Sequence, residues 1–340
     1  MAARHLPTLA DVARISGLSR ATVSRYLNKP SAVRKVARDR IERAINELGY
    51  VPHGAARALA SHRSHMIGAL FPSLDSILFG AFIGPLQNSL QRRGYTLVVS
   101  SSDYVHDMEY EQLRTLVMNG VDAIMMVGTA HGERCYDLLA RRNIPFVLTW
   151  IWDETRDLPQ VGFCNASATG MVANYLMDIG HTRIAMMSGL PEGNDRAAGR
   201  VRGTREALAK RGLQLRDDYL MERPFEMGEG ARAFRELMSR PVRPTAVLCG
   251  SDMFAYSALF EAARMGIRVP EEVSITGFDD NPFSSSVAPA LTTIRTPRER
   301  MAEQTAEYLL AALSEVPDNP SRRLDVELVI RESTAPPRPT

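Results

Sequence analysis

Residues 8–28, TLADVARISGLSRATVSRYLN, read as two short helices around a tight turn. Thr8 stands before the apolar run and Asp11 follows three residues later, close to the reciprocal cap that starts a helix. Val12, Ala13 and Ile15 are its expected buried side, and Gly17 permits the turn that ends it. Ser19 is the expected cap of the second helix, in which Val23 and Leu27, four apart, share the inner face. Arg20, Ala21, Thr22, Ser24 and Arg25 are left to face outward. This is the pattern of a helix-turn-helix, whose second helix lies in the DNA major groove. A small helical hairpin with merely solvated arginines fits the same spacing.

Charge weighs against that bland reading. Residues 1–65 carry 12 Lys and Arg against 4 Asp and Glu, a balance of +8, whereas residues 66–340 carry 29 against 35, a balance of −6. The whole-chain value of +2 hides a basic head on an acidic body, an electrostatic footprint for a polyanion. Residues 33–49, VRKVARDRIERAINELG, predict a third amphipathic helix, with Val33, Val36, Ala37, Ile41, Ala44, Ile45 and Leu48 at helical spacing and Gly49 at its end.

The run DVARISGLSRATVSRYLN, the ELGYVP after the third helix and the AARALA segment closely resemble the DNA-binding head of the lactose-repressor (LacI/GalR) family. The similarity extends over essentially the whole chain. It implies that Arg20, Ala21 and Arg25 meet base edges; an arginine suits the two acceptors of guanine, and alanine offers an apolar contact. Thr8, Ser19, Thr22, Ser24 and Asn28 match positions that contact phosphates and set orientation, although each hydroxyl also suits a helix cap. Ser19 suits both. Residues 54–63 match a hinge segment, too short to be a stable helix alone, that folds on operator binding. There Leu59 matches a leucine wedged between base pairs in the minor groove, beside small neighbours such as Ala56. Two departures stand out: His53 where the family usually has Asn, and Arg34 where it has a small hydroxyl residue.

The remaining chain is long enough for two further lobes. Expected strands are MIGALF (66–71), YTLVVS (95–100), DAIMMVG (122–128) and PFVLTW (145–150), then RIAMMSG (183–189), TAVLCG (245–250), VSITGF (273–278) and DVELVI (325–330). Helical segments such as FIGPLQNSLQRRG and EYEQLRTLVMNG lie between them, so parallel sheets covered by helices are predicted. The expected fold is an N-terminal all-α helix-turn-helix head plus an α/β two-lobed body. The body resembles a type I periplasmic-binding protein, and ALTTIRTPRERM (290–301) resembles the return crossing between lobes. The expected division is head 1–53, hinge 54–63 and body 64–340. Within the body, the N-lobe takes about 64–163 plus 293–322 and the C-lobe about 164–292 plus 323–340.

Parallel sheets bind ligands beyond the carboxyl ends of their strands. The resemblance assigns Asp279 (in GFDD) and Arg200 (in GRVRG) to the effector, with Arg196 as a second donor. Phe225 and Trp150 match aromatic walls, Leu78 and Phe79 apolar contacts, and Ser251 stands where many relatives have Asn. Cys164 in VGFCN replaces a usual Asp. Each also fits a duller role, as helix cap, surface ion pair or core. Aromatic faces beside carboxylate and guanidinium groups suit a carbohydrate, and two arginines suit a sugar acid; purine-type effectors also occur in the family. No Walker-type, G-x-G-x-x-G or G-x-S-x-G motif occurs, and the histidines and the cysteines Cys135, Cys164 and Cys249 form no metal or redox pattern, so neither an enzyme, a cofactor nor a metal is expected. The N-terminus lacks the apolar core of a secretion signal, and no stretch is long enough to cross a membrane. The expectation is a cytoplasmic, effector-responsive homodimer on operator DNA, most simply a repressor. A solute receptor shares the body fold but predicts a signal peptide and no basic head.

Overall fold

A computed structural model describes residues 7–51, 63–314 and 320–338. The expectations for the hinge segment, including His53, Ala56 and Leu59, lie outside the described residues. The chain divides into two compact units, Met1–His65 and Met66–Thr340.

The first unit contains helices α1 (Leu9–Ser16), α2 (Arg20–Asn28) and α3 (Lys35–Leu48). They close over Val12, Ala13, Val23, Val33, Ile41 and Ala44, with Leu27, Ala37, Ile45 and Leu48 packed at the margin. Two expected core residues are not there. Ile15 is 37% exposed, and Ser16 is buried in its stead. At roughly 100° per residue, Ile15 points well off the face centred on Val12, Ala13 and Ser16. Val36 is 74% exposed, because it sits five residues before Ile41 and therefore on the far side of α3. Gly17 (φ 65) and Gly49 (φ 60) close α1 and α3 in the left-handed conformation, which glycine adopts without strain.

The second unit has two lobes. In chain order the elements are β1 (Met66–Phe71), α4 (Ile77–Gln91), β2 (Thr96–Ser101), α5 (His106–Met118), β3 (Ala123–Val127), α6 (Glu133–Arg141), β4 (Phe146–Thr149) and β5 (Gln160–Gly162). They continue with α7 (Asn165–Asp178), β6 (Ile184–Gly189), α8 (Asp195–Lys210), β7 (Leu220–Arg223), α9 (Met227–Met238), β8 (Ala246–Cys249), α10 (Asp252–Met265) and β9 (Ser274–Thr276). Last come β10 (Thr293–Arg295), α11 (Arg298–Leu313), β11 (Arg322–Arg323) and β12 (Glu327–Val329). The first sheet runs β11-β5-β4-β3-β1-β2 and the second β7-β6-β8-β9, parallel throughout. The central strands β3, β6 and β8 are buried along their whole length, as parallel strands covered on both faces must be.

The chain crosses between lobes three times. It leaves the first sheet after β5 for α7. It returns through β10 to α11, which packs on the first lobe, and β11 then extends the first sheet beside β5. Finally β12 pairs antiparallel with β10, and the tail runs along β9, where Ile275 N–H donates to Ser333 O at 2.9 Å. The strands β5, β7, β10 and β11 carry no alternation or apolar run in the sequence, being two to four residues long.

Helices α7 and α8 approach at backbone contact. Thr169 Oγ1 donates across to Arg200 O at 2.9 Å, and a Cβ at Gly203 would overlap the Ala166 carbonyl and Cα. Gly203→Ala should therefore destabilise the body by about 1–3 kcal/mol, as overpacking against backbone does. A thermal melt lowered by several degrees is the expected result; an unchanged melting temperature would mean that the two helices can part freely.

Candidate functional site

In the first unit the outward face of α2 carries Arg20, Ala21 and Arg25, all exposed. Neither guanidinium makes a hydrogen bond or ion pair with another described residue. Val23 on the opposite side is fully buried, so packing fixes which face α2 presents. The hydroxyls expected at phosphates are engaged locally. Ser19 Oγ accepts from Thr22 N–H at 3.1 Å and lies 2.9 Å from Thr22 Oγ1. Thr8 Oγ1 donates to Asp11 Oδ2 at 2.7 Å and accepts from Asp11 N–H, while Thr8 N–H donates to the same carboxylate at 3.0 Å. These bonds hold the Asp11 carboxyl down at about 2. Ser24 is half-buried and Asn28 is the last residue of α2. Arg34 precedes α3 with no side-chain cap bond, in keeping with its lack of an acceptor.

In the second unit the strand ends of both sheets converge on one cluster. Arg200 on α8 is only 6% exposed, yet no carboxylate lies within ion-pair distance. Its Nε donates to Asn165 Oδ1 at 2.9 Å, its Nη1 to Gly250 O at 2.5 Å, and its guanidinium carbon lies 3.9 Å from the centre of the Phe278 ring. Asn165 Nδ2 in turn donates to Trp150 O at 2.9 Å, bridging to the other lobe. Asp279 follows β9 and is 2% exposed. Burial pushes its carboxyl up to about 7, with Arg200 pulling the other way and Asp252 adding to the rise.

Three buried polar atoms at these strand ends have no hydrogen-bond partner: Asp279 Oδ1, Trp150 Nε1 and Ser188 Oγ. Leaving such a group unpaired costs on the order of 1–3 kcal/mol, which marks these strand ends as places where a polar partner would be favourable. The backbone is strained at the same places. Trp150 has φ 64, Asp279 φ 113 and Asp280 φ 51, a region that L side chains seldom adopt.

Phe225 completes an aromatic wall. It stacks on Phe254 at 5.2 Å and faces Tyr104 of the first lobe at 6.4 Å, and a Cβ at Gly189 would overlap its ring. Other expected contacts are occupied elsewhere. Phe79 and Phe163 pack edge-on against Trp150 and Phe82 packs on it at a tilt, with Leu78 half-buried in the same core, so only the Trp150 N–H remains available. Ser251 Oγ caps α10, accepting from Phe254 N–H at 3.3 Å. Arg196 Nη1 donates to Val127 O at 3.0 Å and Asp195 Oδ1 at 3.1 Å. Cys164 Sγ takes the capping position of α7, accepting from Ser167 N–H at 3.5 Å. Sequence reading did not single out Ser188, Asn165, Tyr104, Phe254 or Phe278; Ser188 and Tyr104 follow the same strand-end rule that found Asp279 and could have been found by it. Among the described residues no group of His, Cys, Asp or Glu is disposed to hold a metal ion, and no helix is long and apolar enough to cross a membrane.

Comparison with known proteins places this geometry. Residues 8–53 match the model of the bacterial regulatory proteins, lacI family, and residues 173–334 that of a periplasmic binding protein-like domain. The HTH-type transcriptional repressor PurR of Erwinia tasmaniensis is 33% identical over 308 residues, which cover 90% of each chain. The ribose operon repressor of Escherichia coli K12 is 32% identical over 334 residues, 96% of this chain and 99% of that one. A LacI-family regulator from Silicibacter pomeroyi has a TM-score of 0.88 at 25% identity, covering 98% of this chain and 100% of that one. The lac repressor dimer bound to operator and the anti-inducer ONPF has 0.87 at 25% identity, covering 97% and 100%.

The raised Asp279 carboxyl has a consequence for stability. Its folded value of about 7 lies above the ordinary 3.8, so the folded protein keeps a proton that the unfolded chain loses, and stability falls as pH rises from about 4 to 7. Asp279→Asn, a permanent mimic of the protonated form, should gain on the wild type over that interval by an amount on the order of a few kcal/mol. Denaturant unfolding at pH 5 and pH 8 checks this; a difference between the two proteins that does not vary with pH would refute it.

Proposed function

Because the chain belongs to the LacI family of bacterial regulatory proteins, transcriptional repressors rather than enzymes, we propose that it binds a near-palindromic operator as a homodimer under the control of a small carbohydrate or sugar acid in the interlobe cleft. Arg20, Ala21 and Arg25 read base edges from α2, while Thr8, Ser19, Thr22, Ser24 and Asn28 position the head on phosphates. Thr8 and Ser19 serve this role as the caps of α1 and α2, with Thr22 bonded to Ser19, so the contacts come from a rigid frame. Ala56 and Leu59 enter the minor groove between the two half-sites. A two-fold dimer sets the two α2 helices in successive major grooves.

The observation that carries the effector reading is the trio of unpartnered buried atoms, Asp279 Oδ1, Trp150 Nε1 and Ser188 Oγ, beside Arg200. A ligand that satisfies all three needs several hydroxyls or equivalent polar atoms around a compact ring, and the Phe225 face covers its apolar side. The relative named ribose operon repressor is in keeping with a sugar. The regulator acts in the cytoplasm, on the nucleoid when operator-bound.

Selection of genomic fragments by the purified protein, at stated salt, tests the reading. An enriched near-palindrome supports it; retention without a shared motif would leave the basic head binding backbone charge alone. On the enriched site, Arg25→Ala should cost about 1–3 kcal/mol and relax preference at one base position in each half. Equal weakening on all sequences, in competition with scrambled operator, would remove the base-reading role.

A further inference from the structure

The two lobes touch through side chains that none of the three chain crossings requires. Gly128 and Thr129 follow β3 in the first lobe, and Asp195 and Arg196 open α8 in the second. Thr129 N–H and Thr129 Oγ1–H both donate to Asp195 Oδ2, at 2.5 and 2.7 Å. Arg196 Nη1 reaches back across the cleft to Val127 O at 3.0 Å, and bonds Asp195 Oδ1 at 3.1 Å. Both side chains are largely buried, so this contact is shielded from water. A Cβ at Gly128 (φ 85) would overlap the Arg196 guanidinium and the Asp195 carboxylate; only glycine lets the loop come this close.

Each half of the contact is braced within its own lobe. On the first, Tyr136 Oη donates to Thr129 O at 3.0 Å, and His131 bonds Glu109 Oε1 through Nδ1 at 2.7 Å and Gly128 O through Nε2 at 3.1 Å. On the second, Asp195 stands in the first turn of α8, where the helix dipole favours a carboxylate, and Asn194 Oδ1 caps the same helix by accepting from Ala197 N–H at 3.2 Å. Burial drives the Asp195 carboxyl up, but the Arg196 charge and the two Thr129 bonds more than reverse this, so the ionised form is the one held. A rigid hook therefore meets a charged, preformed pair. Charge-assisted bonds of this kind are the strong ones, and several act in concert here.

We propose that Asp195 and Arg196 form a clasp with Val127–Thr129 that holds the lobes closed before any effector enters. Its link to regulation rests on the interlobe cleft being the effector site. The clasp supplies part of the closing free energy in advance, and an effector then binds with an apparent affinity set by the fraction of chains already closed. Arg196 accordingly acts as a positioning residue between lobes, its guanidinium committed before a ligand arrives.

The test needs no effector. The chain has two tryptophans, and Trp152→Phe leaves Trp150, 1% exposed at the cleft, as the single reporter. Acrylamide quenching of its fluorescence is measured on the full chain with no ligand added. Losing charge-assisted bonds shifts the open-to-closed ratio by about tenfold or more, so Asp195→Ala in that background should raise the quenching constant roughly twofold or more. Thr129→Val, which keeps the N–H donor, should raise it less. Both variants are expected to keep a cooperative thermal melt. Unchanged quenching in both overturns the clasp, and if Asp195→Ala does not fold, Thr129→Val decides by the same criterion. Raised quenching together with no calorimetric heat from a panel of pentoses and hexoses would leave the clasp standing and remove the sugar reading instead.

Discussion

One buried guanidinium organises the cluster at the strand ends. Arg200 is sealed between the lobes without a carboxylate in contact, a placement that is costly unless every donor finds a partner. The partners come from three places in the chain, Asn165 at the start of α7, Gly250 after β8 and the Phe278 ring after β9, and Asn165 in turn bonds the Trp150 carbonyl of the other lobe. Holding this one side chain thus ties together the strand ends around it. Asp279 lies near enough to feel this charge but not to neutralise it, which leaves both an acceptor and a cation ready for a third group.

The strained backbone at Asp279 and Asp280 persists because the interlobe crossings over-determine it. Asp279 N–H donates to Ile294 O in β10 at 2.8 Å, and Thr296 Oγ1 donates to Asp279 O at 3.3 Å. The Asp280 carboxylate accepts from Arg295 Nε and from Arg331 Nη2, each at 2.8 Å, so it ties together two of the three crossings. Arg298 Nη2, at the start of α11, donates to Asp280 O at 2.9 Å. A ligand that engages Asp279 therefore acts on a dipeptide bonded directly to the segments that join the lobes. This gives lobe orientation a mechanical link to occupancy, and the link runs through hydrogen bonds of ordinary length rather than through a diffuse network.

The head depends on different physics. Its core is small, and local devices define its helix boundaries: the Thr8–Asp11 reciprocal cap, the left-handed Gly17 and Gly49, and the Ser19 cap of α2. Such devices are written in consecutive residues, which is why this part of the chain was readable at the level of single caps. The two misjudged positions, Ile15 and Val36, are apolar residues close in sequence to the core pattern but rotated away from it. Apolar identity alone did not reveal this; the angle about the helix axis did.

Strand–helix alternation, the glycine turns, the division of charge and the strand-end position of Asp279 were all determined by the sequence itself, because each depends on neighbours within a few residues or on a simple period. The tertiary structure alone decided which candidates remain available to a ligand. Phe79 and most of Trp150 went to the core, Ser251 to a cap and Arg196 to the opposite lobe, while Ser188 near the end of β6 and Tyr104 just after β2 were brought into the cluster by the fold. Several of these outcomes hang on partners distant in the chain, such as Val127, 69 residues from Arg196, and Phe225, which Tyr104 faces, and the order of residues carries no local trace of such pairings. Short strands such as β5 and β11 share that origin: they are strands because a sheet edge is there to receive them.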